Sequence, residues 1–257
     1  MLRCASSFVI AAYATVRLIP QDSRALPAAF LRSRPIFTTS KTFYEVVKNE
    51  EGKATPFCPT VNRAGVIEEA QAELEKPEIL EFARQASIQE REGYADRELG
   101  FDHVRPAKPR IVEVIEFAGK MRYRKLGLAF CIGLHNEARV VEGLLTANGF
   151  EVVSGVCKMG RVPKERIGVR DDQKIRIGGF ESMCNPIAQA FLLNEAKTDF
   201  NILMGLCVGH DSLFLKYAEA PCTVLAVKDR LLGHNPLAAI YTIDGYYRSL
   251  KIPIGQE

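Results

Sequence analysis

Four cysteines in the second half of the chain, Cys131, Cys157, Cys184 and Cys207, stand where a thiol can do chemistry. Three close apolar runs that read as β-strands, "KLGLAFC", "FEVVSGVC" and "FNILMGLC", and Cys184 directly precedes the helix-start pair Asn185-Pro186. A thiol beside the unpaired amides of a helix N-terminus has its thiolate stabilised, which suits a metal ligand or a nucleophile. Two histidines join the set: His210 follows Cys207 at a knuckle-like Cys-x-x-His spacing, and His234 precedes a second Asn-Pro pair. Gly133 and Gly209, each two residues past its cysteine, permit the tight turn that close approach of a ligand needs. Asn185 and Asn235 read as N-caps followed by proline at the first helical position, and both also border the expected ligand site. Taken singly, each cysteine is equally a packed core residue, and each Asn-Pro has a purely structural explanation. It is the gathering of four thiols and two imidazoles at one predicted edge that points to metal binding. Soft sulfur donors favour zinc or an iron–sulfur cluster over magnesium or calcium.

The elements that must position these groups alternate between two periodicities. From about residue 107 onward, "IVEVIEFAGKMRY", "NEARVVEGLLTANG", "NPIAQAFLLNEA", "SLFLKYAEA" and "NPLAAIYTID" read as helices, separated by the three strands above and by "CTVLAVK". This order predicts right-handed βαβ crossovers and an α/β fold: a mostly parallel sheet of four to five strands flanked by helices, over residues 107–257. In such sheets ligands bind beyond the carboxyl ends of the strands, where Cys131, Cys157 and Cys207 fall. "LAFCIGLHNEA" and "MGLCVGHDSLF" form a weak internal echo, and Cys184 and His234 occupy equivalent places before Asn-Pro. Cys222 opens a strand and reads as packing, and His103 and His135 as solvent-facing.

The preceding residues 41–106 read as an extended segment, with Cys58 held between Pro56 and Pro59, followed by helices that pack on the main domain. Pro77 separates two of these helices. Residues 1–40 carry five arginines against the single acid Asp22, with several serines and threonines, the composition of an organelle transit peptide. The expected location is therefore a mitochondrion or related organelle, or the cytoplasm if the N-terminus is a mispredicted start. With 257 residues, 47% hydrophobic and 25% charged, there is material for a sizeable core. A net charge of +3, part of it in those first residues, gives no case for a nucleic-acid partner. No stretch reaches the roughly 20 apolar residues of a membrane span. An odd count of seven cysteines argues for reduced thiols or metal ligands over disulfide staples. The connection over residues 158–176 is long and basic, and it reads either as a solvated insertion or as a loop for a small anionic molecule. Neither a Walker loop nor G-x-G-x-x-G occurs.

"LGLAFCIGLHNEA", "GFEVVSGVCKMG", "CNPIAQAFLLNE", "TDFNILMGLCVGHDSLFLKY" and "VKDRLLGHNPLAAIY" together resemble a family known as domain of unknown function 1847, usually described as uncharacterised metal-binding proteins. The resemblance runs from about residue 56 to 248. It implies metal binding through cysteines, with no established reaction. Members generally begin with a further cysteine-rich segment ending in Cys-Pro, of which only "FCPT" with Cys58 is present here. The expected function is thus a metal-binding protein of unassigned activity, with Cys131, Cys184 and Cys207 as ligands and Cys157, His210 or His234 completing the shell. Whether it is an enzyme is open. One alternative is a cysteine-dependent enzyme using Cys184, with His210 or His234 as base, on an anionic small molecule. The other is a non-catalytic small-molecule or metal-handling module.

Overall fold

The computed structural model describes residues 59–253, so the expected transit segment, Cys4 and Cys58 lie outside the described residues. The chain divides into two compact units, residues 1–73 and 74–257. The described part of the first is helical: α1 (Pro59–Asn62) and most of α2 (Ala64–Leu74). The second begins with α3 (Pro77–Glu92), where Pro77 takes an early helical position. A short antiparallel pair that the sequence pattern does not announce, β1 (Tyr94–Ala95) with β2 (Arg105–Pro106), leads into α4 (Arg110–Lys120). Among the described residues no helix is long and apolar enough to cross a membrane.

The strands and helices then alternate as the periodicity predicts: β3 (Lys125–Phe130), α5 (His135–Ala147), β4 (Glu151–Val156), α6 (Pro186–Glu195), β5 (Phe200–Leu206), α7 (His210–Tyr217) and β6 (Cys222–Val227). All four strands are parallel, in the order β4-β3-β5-β6. The chain steps outward from β3 to β4, crosses back to β5 on the other side of β3, and continues to β6. In open parallel sheets such a reversal is where ligands bind, beyond the carboxyl ends of the central strands. The last expected helix shrinks to α8 (Leu237–Tyr241), five residues long.

Alternation along the strands sorts the core onto two faces. Leu126, Leu128, Ile202 and Met204 pack with Val114, Phe117, Ala138, Val141 and Leu145 under α4 and α5. Ala129, Cys131, Cys157 and Leu203 pack with Ala190, Leu193 and Phe214 under α6 and α7. On the first face α3 is held against α4 by Phe82, whose ring meets Phe117 edge-on at 5.1 Å, and by Lys120 with Glu92 at 2.7 Å.

One irregularity in β5 redirects the residues at its carboxyl end. The pairing with β6 slips between Leu203 and Met204 and again between Met204 and Leu206, and Gly205 sits at φ +68°. An added Cβ at Gly205 would lie 2.2 Å from Leu134 Cδ1, so only glycine fits. The bulge breaks the two-residue alternation: Leu203 and Leu206, three apart, lie in the same cluster.

The two Asn-Pro pairs differ in structure. Asn185 caps α6, its Oδ1 accepting from the Ala188 N–H at 3.1 Å. For α8 the cap position is Pro236, and no side chain caps that helix, which corrects the reading of Asn235. Asn185→Ala is expected to lower the unfolding free energy by about 1 kcal/mol, and Asn235→Ala to leave it nearly unchanged, as read from urea denaturation midpoints.

Candidate functional site

Cys131 is the first residue after β3, and Cys157 the first after β4. Their strands run in register, Phe130 opposite Val156, and the Cys157 N–H continues the ladder by donating to Phe130 O at 2.9 Å. Strand spacing alone therefore sets these two backbones side by side, with both side chains on the α6 face. Cys184 comes to the same place by a long excursion. The 158–183 segment folds back on itself through Met183 N–H to Val162 O at 2.8 Å and Lys164 N–H to Glu181 O at 3.0 Å. It closes with Asn185 N–H donating to Cys157 O at 2.7 Å. In this way Cys131, Cys157 and Cys184 come to pack in one cluster, where the Cys157 Sγ accepts from the Ile132 N–H at 3.4 Å.

Burial makes these contacts consequential. Cys131 is 7% exposed and Cys157 3%, whereas Cys184 is half-buried. The Cys131 thiol is held well below the usual thiol range, chiefly by its hydrogen bond with Cys157, then by the Gly133 N–H and the Lys228 ammonium. Cys184 is lowered in the same way by Cys157, with the Lys158 and His210 charges adding, while burial and the neighbouring Cys131 oppose it. Cys157 is pushed up by the same two hydrogen bonds and by burial, so it keeps its proton and shares it with its neighbours. The cluster accepts a first negative charge readily and a second against repulsion.

Two groups that sequence reasoning missed support this cluster. Gln189 of α6 is fully buried, and its Nε2 donates to Gly155 O at 2.6 Å and Phe130 O at 3.1 Å, bracing the ends of β4 and β3 immediately before their cysteines. Nothing in "NPIAQAFLL" marks this glutamine, since its partners are backbone carbonyls known only once the sheet order is known. Lys228, after β6, reaches back over the edge: a Cβ on Gly133 would meet its Nζ at 3.4 Å and Cys131 Sγ at 3.9 Å. Gly133 thus leaves room for the Lys228 ammonium beside the thiol. Gly209, at φ +82°, precedes α7.

The other expected ligands divide. His210, the first residue of α7, places its charge on Cys184, and its Nδ1 is buried with no hydrogen-bond partner in the protein. Cys207 is engaged differently, its Sγ accepting from Arg230 Nη2 at 3.1 Å. The bulge at Gly205 explains this, for it puts Leu206 on the face where unbroken alternation would have put Cys207. His234 is also occupied elsewhere: its Nδ1 lies 3.2 Å from both Val227 O and the Asp229 N–H, closing the turn after β6. Among the described residues no group of three or more His, Cys, Asp or Glu side chains is already spaced as a metal cage. Cys131, Cys157 and Cys184 do share one packed cluster.

The basic connection is mostly exposed and is ordered by its own ion pairs. Lys164 pairs with Glu181 at 2.5 Å, Lys174 with Glu165 and Asp171, and Arg170 with Asp172 at 2.8 Å, so much of its positive charge is answered within the loop. Lys158 is turned toward the thiols, donating to Ser182 O at 2.5 Å.

The sequence profile of a family described as a protein of unknown function, DUF1847, matches residues 58–225. The chain belongs to that family. An uncharacterized protein of Methanocaldococcus jannaschii, MJ0455, is 52% identical over 135 residues, which cover 52% of this chain and 68% of the relative. The matched span of this DUF1847 member ends within β6, so it includes Cys131, Cys157, Cys184, Cys207 and His210 but not Lys228, Arg230 or His234.

Because Cys157 is the largest influence on both flanking thiols, Cys157→Ala is expected to raise the titration midpoints of Cys131 and Cys184. Lys228→Met should raise that of Cys131 by less. Thiolate absorbance near the ultraviolet edge, followed against pH in the metal-free protein, reads both shifts; unchanged midpoints in Cys157→Ala would contradict the arrangement.

Proposed function

We propose that this protein binds a soft metal ion, of the zinc type, through Cys131, Cys157 and Cys184, with His210 as the fourth donor. The observation that carries this reading is the packing of three thiols in one cluster, together with the Nδ1 of His210, which acts on Cys184 and is itself buried and unpartnered. A buried polar atom without a partner costs about 1–3 kcal/mol, and a coordinate bond would remove that cost at His210 Nδ1. Three sulfurs and one nitrogen are a donor set that suits tetrahedral zinc. An iron–sulfur cluster drawing on the same cysteines is the variant of this reading that shares its chemistry.

The residues around the donors fit that role. Lys158 and Lys228 offset the negative charge that three thiolates would bring, and Gln189 keeps the two strand ends at fixed spacing. The proton shared through Cys157 sits where positive charge is needed, and metal uptake would displace it, so binding would release protons and weaken at low pH. A metal with four protein donors supplies structural stabilisation or electron transfer, not an open coordination position. Cys207 and His234, tied to Arg230 and to the turn after β6, have no part in this donor set.

Protein purified without oxygen should contain about one metal per chain, a single-site stoichiometry. Cys131→Ser, Cys157→Ser and Cys184→Ser should each reduce this to near zero, and His210→Ala should weaken retention roughly 10–100-fold, the range seen when metal-site partners are lost. Cys207→Ser and His234→Ala should retain the metal. Metal content near zero in the wild type, or loss on Cys207→Ser with retention in Cys157→Ser, would overturn the assignment. The absorption spectrum of the same sample separates a coloured iron–sulfur cluster from colourless zinc.

A further inference from the structure

The three thiols also carry a chemistry that needs no metal. Cys184 is the half-buried member of the cluster, while Cys131 and Cys157 are 7% and 3% exposed. A soluble reagent arriving at the carboxyl edge of the sheet therefore meets Cys184 first. Behind it stands Cys157, in the cluster Cys184 packs against, its backbone carbonyl fixed to the Asn185 N–H at 2.7 Å. That backbone bond ties the residue after Cys184 to Cys157, and a bridge between the two would need Cα atoms about 4.4–6.8 Å apart. Asn185 is anchored in turn as the cap of α6, so the pair is held by structure on both sides. The same cluster that could close on a metal is therefore built as a half-buried thiol backed by a buried one.

We propose that the metal-free protein performs thiol–disulfide exchange with small soluble disulfides, Cys184 acting as the entering thiol and Cys157 as the resolving thiol. In the first step the Cys184 thiolate attacks one sulfur of the disulfide RSSR, forming a Cys184–SR bond as the RS–SR bond breaks and RS⁻ leaves. In the second, the Cys157 sulfur attacks Cys184 Sγ, forming the Cys157–Cys184 bond as the mixed disulfide breaks and a second RS⁻ leaves. Two protein thiols are oxidised, one RSSR is reduced to two thiols, and the two protein protons pass to the released thiolates. Cys131, neighbour of Cys157 across the β3–β4 ladder and covered by the sheet, stays reduced.

This activity uses the metal-binding residues but does not rest on metal binding. Reduced, metal-free wild-type protein is incubated with oxidised glutathione, quenched with acid, and mapped by non-reducing peptide mass spectrometry. The expected product has lost two hydrogens, carries no glutathione, and joins Cys157 to Cys184. Cys157→Ser should stop at one glutathionyl group on Cys184, and Cys131→Ser should still close the bridge. A wild-type product that keeps glutathione on Cys184, a bridge that includes Cys131, or no reaction at all would overturn the proposal. Should Cys157→Ser fail to fold by circular dichroism, the wild-type map and Cys131→Ser decide it alone. Metal content, measured separately on protein never exposed to glutathione, stands or falls independently.

Discussion

The Cys157 N–H donates to Phe130 O at 2.9 Å, and the thiol site hangs on that last rung of the β3–β4 ladder. Parallel pairing gives adjacent strands a spacing of about 4.8 Å and a common direction, so the first residues beyond them emerge together. Here those residues are Cys131 and Cys157. Gln189 reinforces the rung from below by donating to both Phe130 O and Gly155 O, and Gly155 leaves room for it: a Cβ there would meet Gln189 Cγ at 3.7 Å and Leu192 Cδ2 at 3.3 Å. With the two strand ends fixed, the third thiol needs only a loop that returns to the same carbonyl row. The Asn185 N–H to Cys157 O bond is where it does so.

The site's electrostatics follow from this packing. Three thiols crowded at a buried edge cannot all ionise without help, and the surroundings supply it unevenly. Lys228 and the Gly133 amide serve Cys131, whereas Lys158 and the charge of His210 serve Cys184. Cys157 is pushed up by its two thiol neighbours and by burial, so it stays protonated. A soft cation and a disulfide bond are two other ways of relieving the same repulsion, which is why one cluster supports both readings.

Much of this was legible in the sequence. The switch from period-two to period-3.6 patterning located every strand of the sheet and each flanking helix of eight residues or more beyond residue 107, and it set Cys131 and Cys157 at strand ends and Cys184 ahead of a capped helix. What one-dimensional pattern could not carry was parity through an irregular strand. Cys207 shares the odd-numbered alternation of Asn201 and Leu203, so it reads as a partner of Cys131; the bulge at Gly205, where the closeness of Leu134 leaves no room for a side chain, breaks that alternation, and Cys207 meets Arg230. The internal echo between the segments after Cys131 and Cys207 is thus an echo of strand-turn-helix form, not of ligand placement. At His234 the Asn-Pro that follows resembles the cap of α6, but the residue lies at φ +67° in a turn and bonds to that turn's own backbone. Gln189 and Lys228 were invisible because their roles exist only across neighbouring strands.

The central claim, that three sulfurs and the His210 nitrogen form one donor set, is tested most directly by titrating the metal-free, reduced protein with cobalt(II) under exclusion of oxygen. The predicted result is intense sulfur-to-cobalt charge-transfer absorption, of the strength that three thiolates give, together with the visible bands of a tetrahedral ion, saturating at one equivalent and unaffected by Cys207→Ser. A pale octahedral spectrum without charge transfer, or one that vanishes on Cys207→Ser and persists in Cys157→Ser, would contradict it.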